Sequence, residues 1–211
     1  MGKITALRIA RGRGKRVNIF LDGKFAFNLE AEVAAKERLQ VEQVLSDTQI
    51  DALARSDRFH RCFNAAVHYL GFRPRSESEL RERLRQRGFD GDSLKAVITR
   101  LKKQGLVDDM AFAQFWKGNR ESFNPRSRWL TRLELRNKGI ANNIIDQVVD
   151  TIDDNDSAYQ AALRKARSLS RSDQQVFRRR LGEYLQRRGF SYGMINHTVE
   201  RLWQEQLVSN K

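Results

Sequence analysis

The chain has 211 residues, and 40 Lys and Arg against 26 Asp and Glu leave it a formal charge of +14, which directs it toward polyanionic partners, nucleic acid before an anionic membrane surface. One cysteine excludes a disulfide scaffold and any cysteine-based zinc cluster, three histidines leave little for a metal site or a His-dependent triad, and two prolines with thirteen glycines exclude a collagen-like or low-complexity chain. No apolar run approaches the roughly 20 residues that cross a bilayer and no charged-then-apolar leader opens the chain, so the expectation is a cytoplasmic protein of a reducing compartment with no membrane contact.

In chain order, Ile4–Ile9 reads as a first strand. Val17–Leu21 and Lys24–Leu29 follow as a hairpin, because Asp22-Gly23 between them suits a type I′ turn with positive φ at both central residues. The connection Arg11-Gly12-Arg13-Gly14-Lys15-Arg16 carries four positive charges, and either a phosphate-gripping loop or a solvated turn fits it. Three such strands are too small to stand alone and should pack on the helix that follows. A short helix is expected from Glu30 to about Leu39. Ser46 with Gln49 forms a capping box that opens a helical stretch toward Leu70, with a break expected near Ser56-Asp57.

Beyond this point the chain repeats itself. Gly88, Gly139 and Gly189 are spaced 51 and 50 apart, each four residues after a leucine (Leu84, Leu135, Leu185) and each followed by an apolar residue (Phe89, Ile140, Phe190). A glycine in the left-handed region with an apolar residue after it is a helix stop. Downstream, Leu94, Ile145 and Ile195 correspond, as do Ile98, Val149 and Val199, and Leu101, Ile152 and Leu202, at spacings of four and three that share one helix face. Pro74-Arg75-Ser76 and Pro125-Arg126-Ser127 are again 51 apart. Ser76 with Glu79 and Ser172 with Gln175 read as caps of middle helices. A helix should precede each middle helix, at about Phe59–Leu70, Asp109–Arg120 and Asp156–Ser168. The division expected is therefore a β-rich segment over 1–57 and three-helix repeats over 58–107, 108–155 and 156–211. The fold class is mainly α, with three tandem repeats stacked into an elongated, curved body behind a small antiparallel sheet.

The charge follows the same division. Residues 1–30, 61–107 and 156–211 carry net charges of +5, +6 and +6, and the stretches between them −2 and −1. The middle helices hold most of it: Arg75, Arg81, Arg83, Arg85 and Arg87; Arg126, Arg128, Arg132, Arg136 and Lys138; Arg178, Arg179, Arg180, Arg187 and Arg188. Arginine suits phosphate and carboxylate because its planar fork bonds in two places at once. Glu77, Glu79 and Glu82 can satisfy part of the first set within its own helix, whereas the third set has only Glu183 near it in sequence. The candidate contact residues are thus Arg11, Arg13, Lys15, Arg16, Arg75, Arg81, Arg85, Arg126, Arg128, Arg132, Arg136, Arg178, Arg179, Arg180, Arg187 and Arg188.

No catalytic constellation competes with this reading, and neither an enzyme nor a cofactor is expected. His60, His68 and His197 lack a third ligand. Cys62 sits among Phe59, Phe63, Ala65 and Ala66 as a structural thiol. Asp108-Asp109 and Asp153-Asp154 stand where helices begin and read as N-terminal caps. Gly12-Arg13-Gly14 lacks the context and the trailing Lys-Ser/Thr of a P-loop. Trp116, Trp129 and Trp203 read as packing residues before base-stacking platforms.

The motifs Pro74-Arg75-Ser76-x-x-Glu79-Leu80-x3-Leu84-x3-Gly88, Leu106-Val107-Asp108-Asp109-x-x-Phe112-Ala113-x-x-Trp116-x3-Arg120 and Glu134-Leu135-x-x-Lys138-Gly139-Ile140 resemble the RecX family of bacterial regulators of the RecA recombinase. The start around Ile19-Phe20-Leu21-Asp22-Gly23-Lys24-Phe25 resembles the N-terminal extension of some members. Phe123-Asn124-Pro125 departs from the pattern, where a glycine is common. The resemblance implies a three-repeat, right-handed helical arc that lodges in the groove of RecA–DNA filaments, lowers ATP hydrolysis and strand exchange, and blocks filament extension without being an enzyme. RecA and single- or double-stranded DNA are the expected partners, bound by a monomer without strong sequence preference. The alternative is an autonomous DNA-binding protein that uses a three-helix unit like a helix-turn-helix. The scarcity of Asn and Gln on the arginine-rich helices favours phosphate grip over base readout.

Overall fold

The structure is a computed structural model that describes residues 1–10, 16–169 and 173–209. Contacts divide the chain into two units, Met1–Arg73 with Leu80–Val107, and Pro74–Glu79 with Asp108–Lys211.

The first unit begins with a four-stranded antiparallel sheet of β1 (Gly2–Ile9), β2 (Arg16–Leu21), β3 (Lys24–Glu30) and β4 (Val44–Leu45), in the order β3-β2-β1-β4. Asp22 and Gly23 join β2 to β3 with φ of 47° and 81°, the two positive values a type I′ turn requires. β4 is two residues long, too short to leave a pattern, and the sequence alone does not announce it. One face of the sheet sends Ile4, Ile19 and Leu29 into a core closed by Val33 of α1 (Ala31–Lys36), Leu45 and Leu53 of α2 (Asp47–Leu70). Ser46 opens α2 with the expected capping box: its hydroxyl accepts from Gln49 N at 3.2 Å while Gln49 Oε1 accepts from Ser46 N at 2.8 Å.

The break expected near Ser56-Asp57 is absent, and α2 runs unbroken for 24 residues. Asp57 is buried and turns its carboxylate away from its own helix, accepting from Glu30 N at 2.7 Å and Arg16 Nη2 at 3.3 Å. A side chain satisfied off the helix does not compete for the helix backbone. The same contact covers part of the outer edge of β3, where an unpaired strand would otherwise invite foreign pairing. The second half of α2 supplies Cys62 and Ala66 to another core, with Leu80 and Leu84 of α3 (Glu77–Gln86), Phe89, and Leu94, Val97, Ile98 and Leu101 of α4 (Gly91–Lys103).

The second unit holds α5 (Asp109–Phe123), α6 (Arg128–Asn137) and α7 (Asn142–Val149), then α8 (Asp154–Ala166) with a 3-10 turn over Arg167–Leu169, α9 (Gln174–Gln186) and α10 (Tyr192–Ser209). Each trio closes its own core, one around Phe112, Leu135, Ile145 and Val149, the other around Phe177, Leu181, Leu185 and Leu202. Every apolar side chain matched across the three repeats in the sequence is buried. Gly88, Gly139 and Gly189 end their helices at φ of 80°, 74° and 84°, and the next residue's N–H donates back to the carbonyl of Leu84, Leu135 or Leu185 at 3.1, 3.1 and 3.4 Å. The third middle helix is capped by Asp173, whose carboxylate accepts from Val176 N at 2.8 Å; Ser172, the cap expected from the sequence, lies outside the described residues.

Within this unit the same junction is built twice. Ser76 Oγ accepts from Glu79 N at 3.1 Å and donates to Lys138 O at 2.7 Å. Ser127 Oγ accepts from Leu130 N at 3.2 Å while Ser127 N donates to Arg188 O at 3.0 Å. Each serine therefore caps a middle helix and holds the segment just before a later stop glycine. The paired aspartates complete the joint. Asp108 and Asp153 cap their own helices, each accepting from the N–H groups two and three residues on. Asp109 and Asp154 instead reach back to accept from Glu77 N at 2.8 Å and Arg128 N at 2.7 Å. Capping is the role expected of these pairs, but the second member of each caps a neighbour's helix.

Candidate nucleic-acid and partner interface

The arginines of α6 and of the segment just before it are largely engaged inside the protein. Arg126 pairs with Glu134, Arg132 with Asp146 and Asp150, and Arg128 Nε donates to Ile152 O at 2.5 Å. Glu134, mostly buried, also accepts from Trp116 Nε1 and Arg120 Nε, both at 2.8 Å. Burial holds the Arg126 guanidinium below its ordinary pKa, Glu134 opposes that shift, and the charges of Arg120 and Arg188 add to it. Lys138 Nζ bonds Glu79 at 2.5 Å and lies 4.9 Å from the Trp116 ring centroid. Of these candidates Arg128 and Arg136 are exposed, and Arg128 is tied down through its Nε while Arg136 has no ion pair among the described residues.

α9 keeps its cations outward, though not bare as the sequence suggests. Arg178 pairs with Glu200 of α10, and Arg179 lies 3.8 Å from Glu183. Glu200 is 22 residues from Arg178, so local reading of the helix misses it. These partners are about half exposed, and such pairs hold a guanidinium weakly against solvent or a competing anion. Arg180 and Arg187 are exposed. Arg188 is half-buried, donates to Asn124 Oδ1 and stacks 4.3 Å from the Tyr184 centroid. A groove of about 700 Å3 between α9 and α10 is lined by Arg178, Arg179, Gln186, Tyr192 and Asn196.

On α3, Arg85 lies 4.0 Å from Glu82 and Arg81 is half-buried, as is Arg75 just before the helix. Arg16 is committed to the sheet: Nε donates to Asn28 Oδ1 at 3.0 Å, Nη2 to Asn28 O at 2.9 Å, and Asp57 and Glu30 lie at 3.3 and 3.7 Å. Arg11, Arg13 and Lys15 lie outside the described residues.

Exposed aromatics are the feature the sequence reading passes over. Trp129 is 63% exposed, against the expectation of a packing residue, although its ring edge stands over Gly189. Phe72 and Phe123 are 72% and 76% exposed. They lie 51 residues apart, each two positions before Pro74 or Pro125, so the repeat spacing carried this signal. Burial pushes the Cys62 thiol up to about 11, with Arg58 opposing, which leaves it protonated and inert at neutral pH. Among the described residues no group of three His, Cys, Asp or Glu side chains is placed to hold a metal ion, and no helix is long and apolar enough to cross a membrane.

Family profiles match this chain in three places: the N-terminal domain of regulatory protein RecX over residues 2–46, the first three-helix domain of RecX over 62–101, and the third over 153–199. A curated relative named Regulatory protein RecX, from Clostridium perfringens (strain 13 / Type A), is 30% identical over 207 residues, spanning 96% of this chain and 97% of that protein. The chain belongs to the RecX family. Another RecX relative, from Clostridium botulinum (strain Eklund 17B / Type B), is 28% identical across 95% of this chain and 96% of its own. A crystal structure of regulatory protein RecX superimposes with a TM-score of 0.66 at 25% identity, covering 95% of this chain and all of that one. The structure of RecX from Lactobacillus salivarius shares the fold, with a TM-score of 0.57 at 23% identity over 70% of this chain and 97% of that one. The RecX N-terminal profile stops at Ser46, the residue that caps α2, and the first three-helix profile starts at Cys62, inside it. The helix that joins sheet and repeat thus lies across the gap between two RecX domains.

Proposed function

We propose that this chain is a regulator that binds the RecA recombinase on its DNA filament, lodges in the filament groove, and lowers RecA's ATP hydrolysis, strand exchange and filament extension. Through that action it tunes recombination, DNA repair and the SOS response. It works in the cytoplasm as a monomer, without a cofactor and without catalysing a reaction. The observation that carries the reading is the end-to-end likeness to proteins named Regulatory protein RecX. The outward cations of α9 support it, since guanidiniums held only by exposed carboxylates are ready to exchange them for phosphate or for acidic side chains. Contact of that kind follows the backbone of DNA and gives little sequence preference.

The test is RecA's single-stranded-DNA-stimulated ATPase with this protein titrated in at low salt. Inhibition at or below one regulator per RecA is expected, and full activity at that ratio overturns the reading. Competition between DNA sequences separates the alternative. A preference of about 10³-fold or more for one duplex sequence would make this an autonomous sequence-reading protein instead.

A further inference from the structure

The first unit contains a groove of about 700 Å3 between β3 and α2 that no part of the reading above uses. Its floor is the satisfied network of Arg16, Asn28 and Asp57. Its walls carry three further guanidiniums, those of Arg58, Arg61 and Arg87. Arg58 lies 3.1 Å from Asp90, but the two side chains are 53% and 77% exposed, so the pair yields readily. Arg61 stands 3.9 Å from Asp57, a carboxylate already shared with Arg16 and Glu30 N. Arg87 stacks 5.0 Å from the Tyr69 centroid, an arrangement that leaves its charge uncompensated. Among the described residues of the lining Asp57 is the one carboxylate, against four guanidiniums, so the groove has an excess of positive charge.

An aromatic ring completes it. Phe25 lines the groove from β3, is 56% exposed, and is steadied edge-on by Phe20 at 6.0 Å between centroids. Cations along a cleft beside an open ring suit an unpaired nucleic-acid strand, with phosphates on the guanidiniums and a base stacked on the ring. A duplex keeps its base faces inside its own stack and has none to offer Phe25. A peptide added to the edge of β3 fits less well, because Glu30 N and Asn28 O on that edge are taken by Asp57 and Arg16.

We propose that the groove between β3 and α2 is a binding site for single-stranded DNA, gripped by Arg58, Arg61 and Arg87 and stacked on Phe25. The proposal rests on the nucleic-acid contact in the function proposed above and adds its place and its preference for an unpaired strand. It also gives the N-terminal sheet a task, that of building one wall of the site.

The experiment measures fluorescence anisotropy of a labelled oligo(dT) strand and of a duplex of equal length against the full chain, over a salt series. Phe25→Ala should weaken single-strand binding on the order of tenfold, leaving duplex affinity and the salt slope unchanged. The triple variant R58Q/R61Q/R87Q should reduce the magnitude of the single-strand log–log salt slope by about 2. The inference is overturned if the wild type does not bind the strand, if either variant binds it within twofold of wild type, or if Phe25→Ala weakens the duplex equally. RecA ATPase inhibition by the wild type is read in parallel. If inhibition is intact while the variants bind the strand normally, the groove assignment falls and the regulatory function stands. If the strand binds through Phe25 while RecA is untouched, the regulatory function falls and the groove assignment stands.

Discussion

Gly139 and Gly189 do a second job that Gly88 does not share. All three occupy the left-handed region, which costs an L-residue roughly 1–2 kcal/mol. A Cβ at Gly88 would meet nothing within 4 Å, whereas at Gly139 it would stand 2.4 Å from Ser78 Cβ and at Gly189 2.6 Å from Ser127 Oγ. These two glycines are the surfaces on which the serine-capped helix starts rest. Gly88→Ala should therefore cost only the backbone strain, about 1–2 kcal/mol. Gly139→Ala should cost more, by on the order of 1–3 kcal/mol from overpacking. Urea unfolding of the two variants checks this, and equal losses would show that the contact at Gly139 relaxes freely.

At the scale of elements, the molecule separates helices that spend their arginines internally from one that does not. α6 needs Glu134 to neutralise Arg120 and Arg126 and to satisfy Trp116, all half-buried in the second unit. Removing that carboxylate by Glu134→Ala leaves two partly desolvated guanidiniums uncompensated and should cost about 3 kcal/mol. Glu200→Ala, which frees Arg178 on the exposed side of α9, should cost under about 1 kcal/mol. Thermal melts of the two variants distinguish them. A small effect at Glu134 would mean that solvent reaches its arginines readily. Glu134 apart, the difference between the helices is not written in their own residues, since both are arginine-rich. It comes from what the following helices bring: Asp146 and Asp150 on or just past α7 for Arg132, and Glu200 on α10 for Arg178.

For the whole molecule, the charge of +14 overstates what a polyanion meets. Arg16, Arg126 and Arg132 hold the protein together, while Arg179, Arg180 and Arg187 face outward on the α9 side. Neutralising the outward three to Gln should lower the magnitude of the log–log salt slope for duplex DNA by about 2–3 with little change in melting temperature. Neutralising Arg126 and Arg132 should lower the melting temperature instead. A salt titration with a parallel melt checks both, and a large fall in stability for the outward set would show that those side chains are structural.

The sequence by itself determined the three-fold helical repeat, its stop glycines, its buried face, the hairpin at Asp22-Gly23 and the family. These are short-range matters: helix period, turn chemistry and capping act within a few residues, so their spacing is written in the chain. Only the tertiary structure decided which charges are spoken for. Asp57 reaching Glu30, Asp109 reaching Glu77, and Glu200 reaching Arg178 all join residues more than 20 apart. An ion pair depends on which helix faces which, and no local pattern around either partner records that. The exposure of Phe25 and Trp129 was hidden for the same reason, because an aromatic residue looks alike in sequence whether a neighbour covers it or leaves it open.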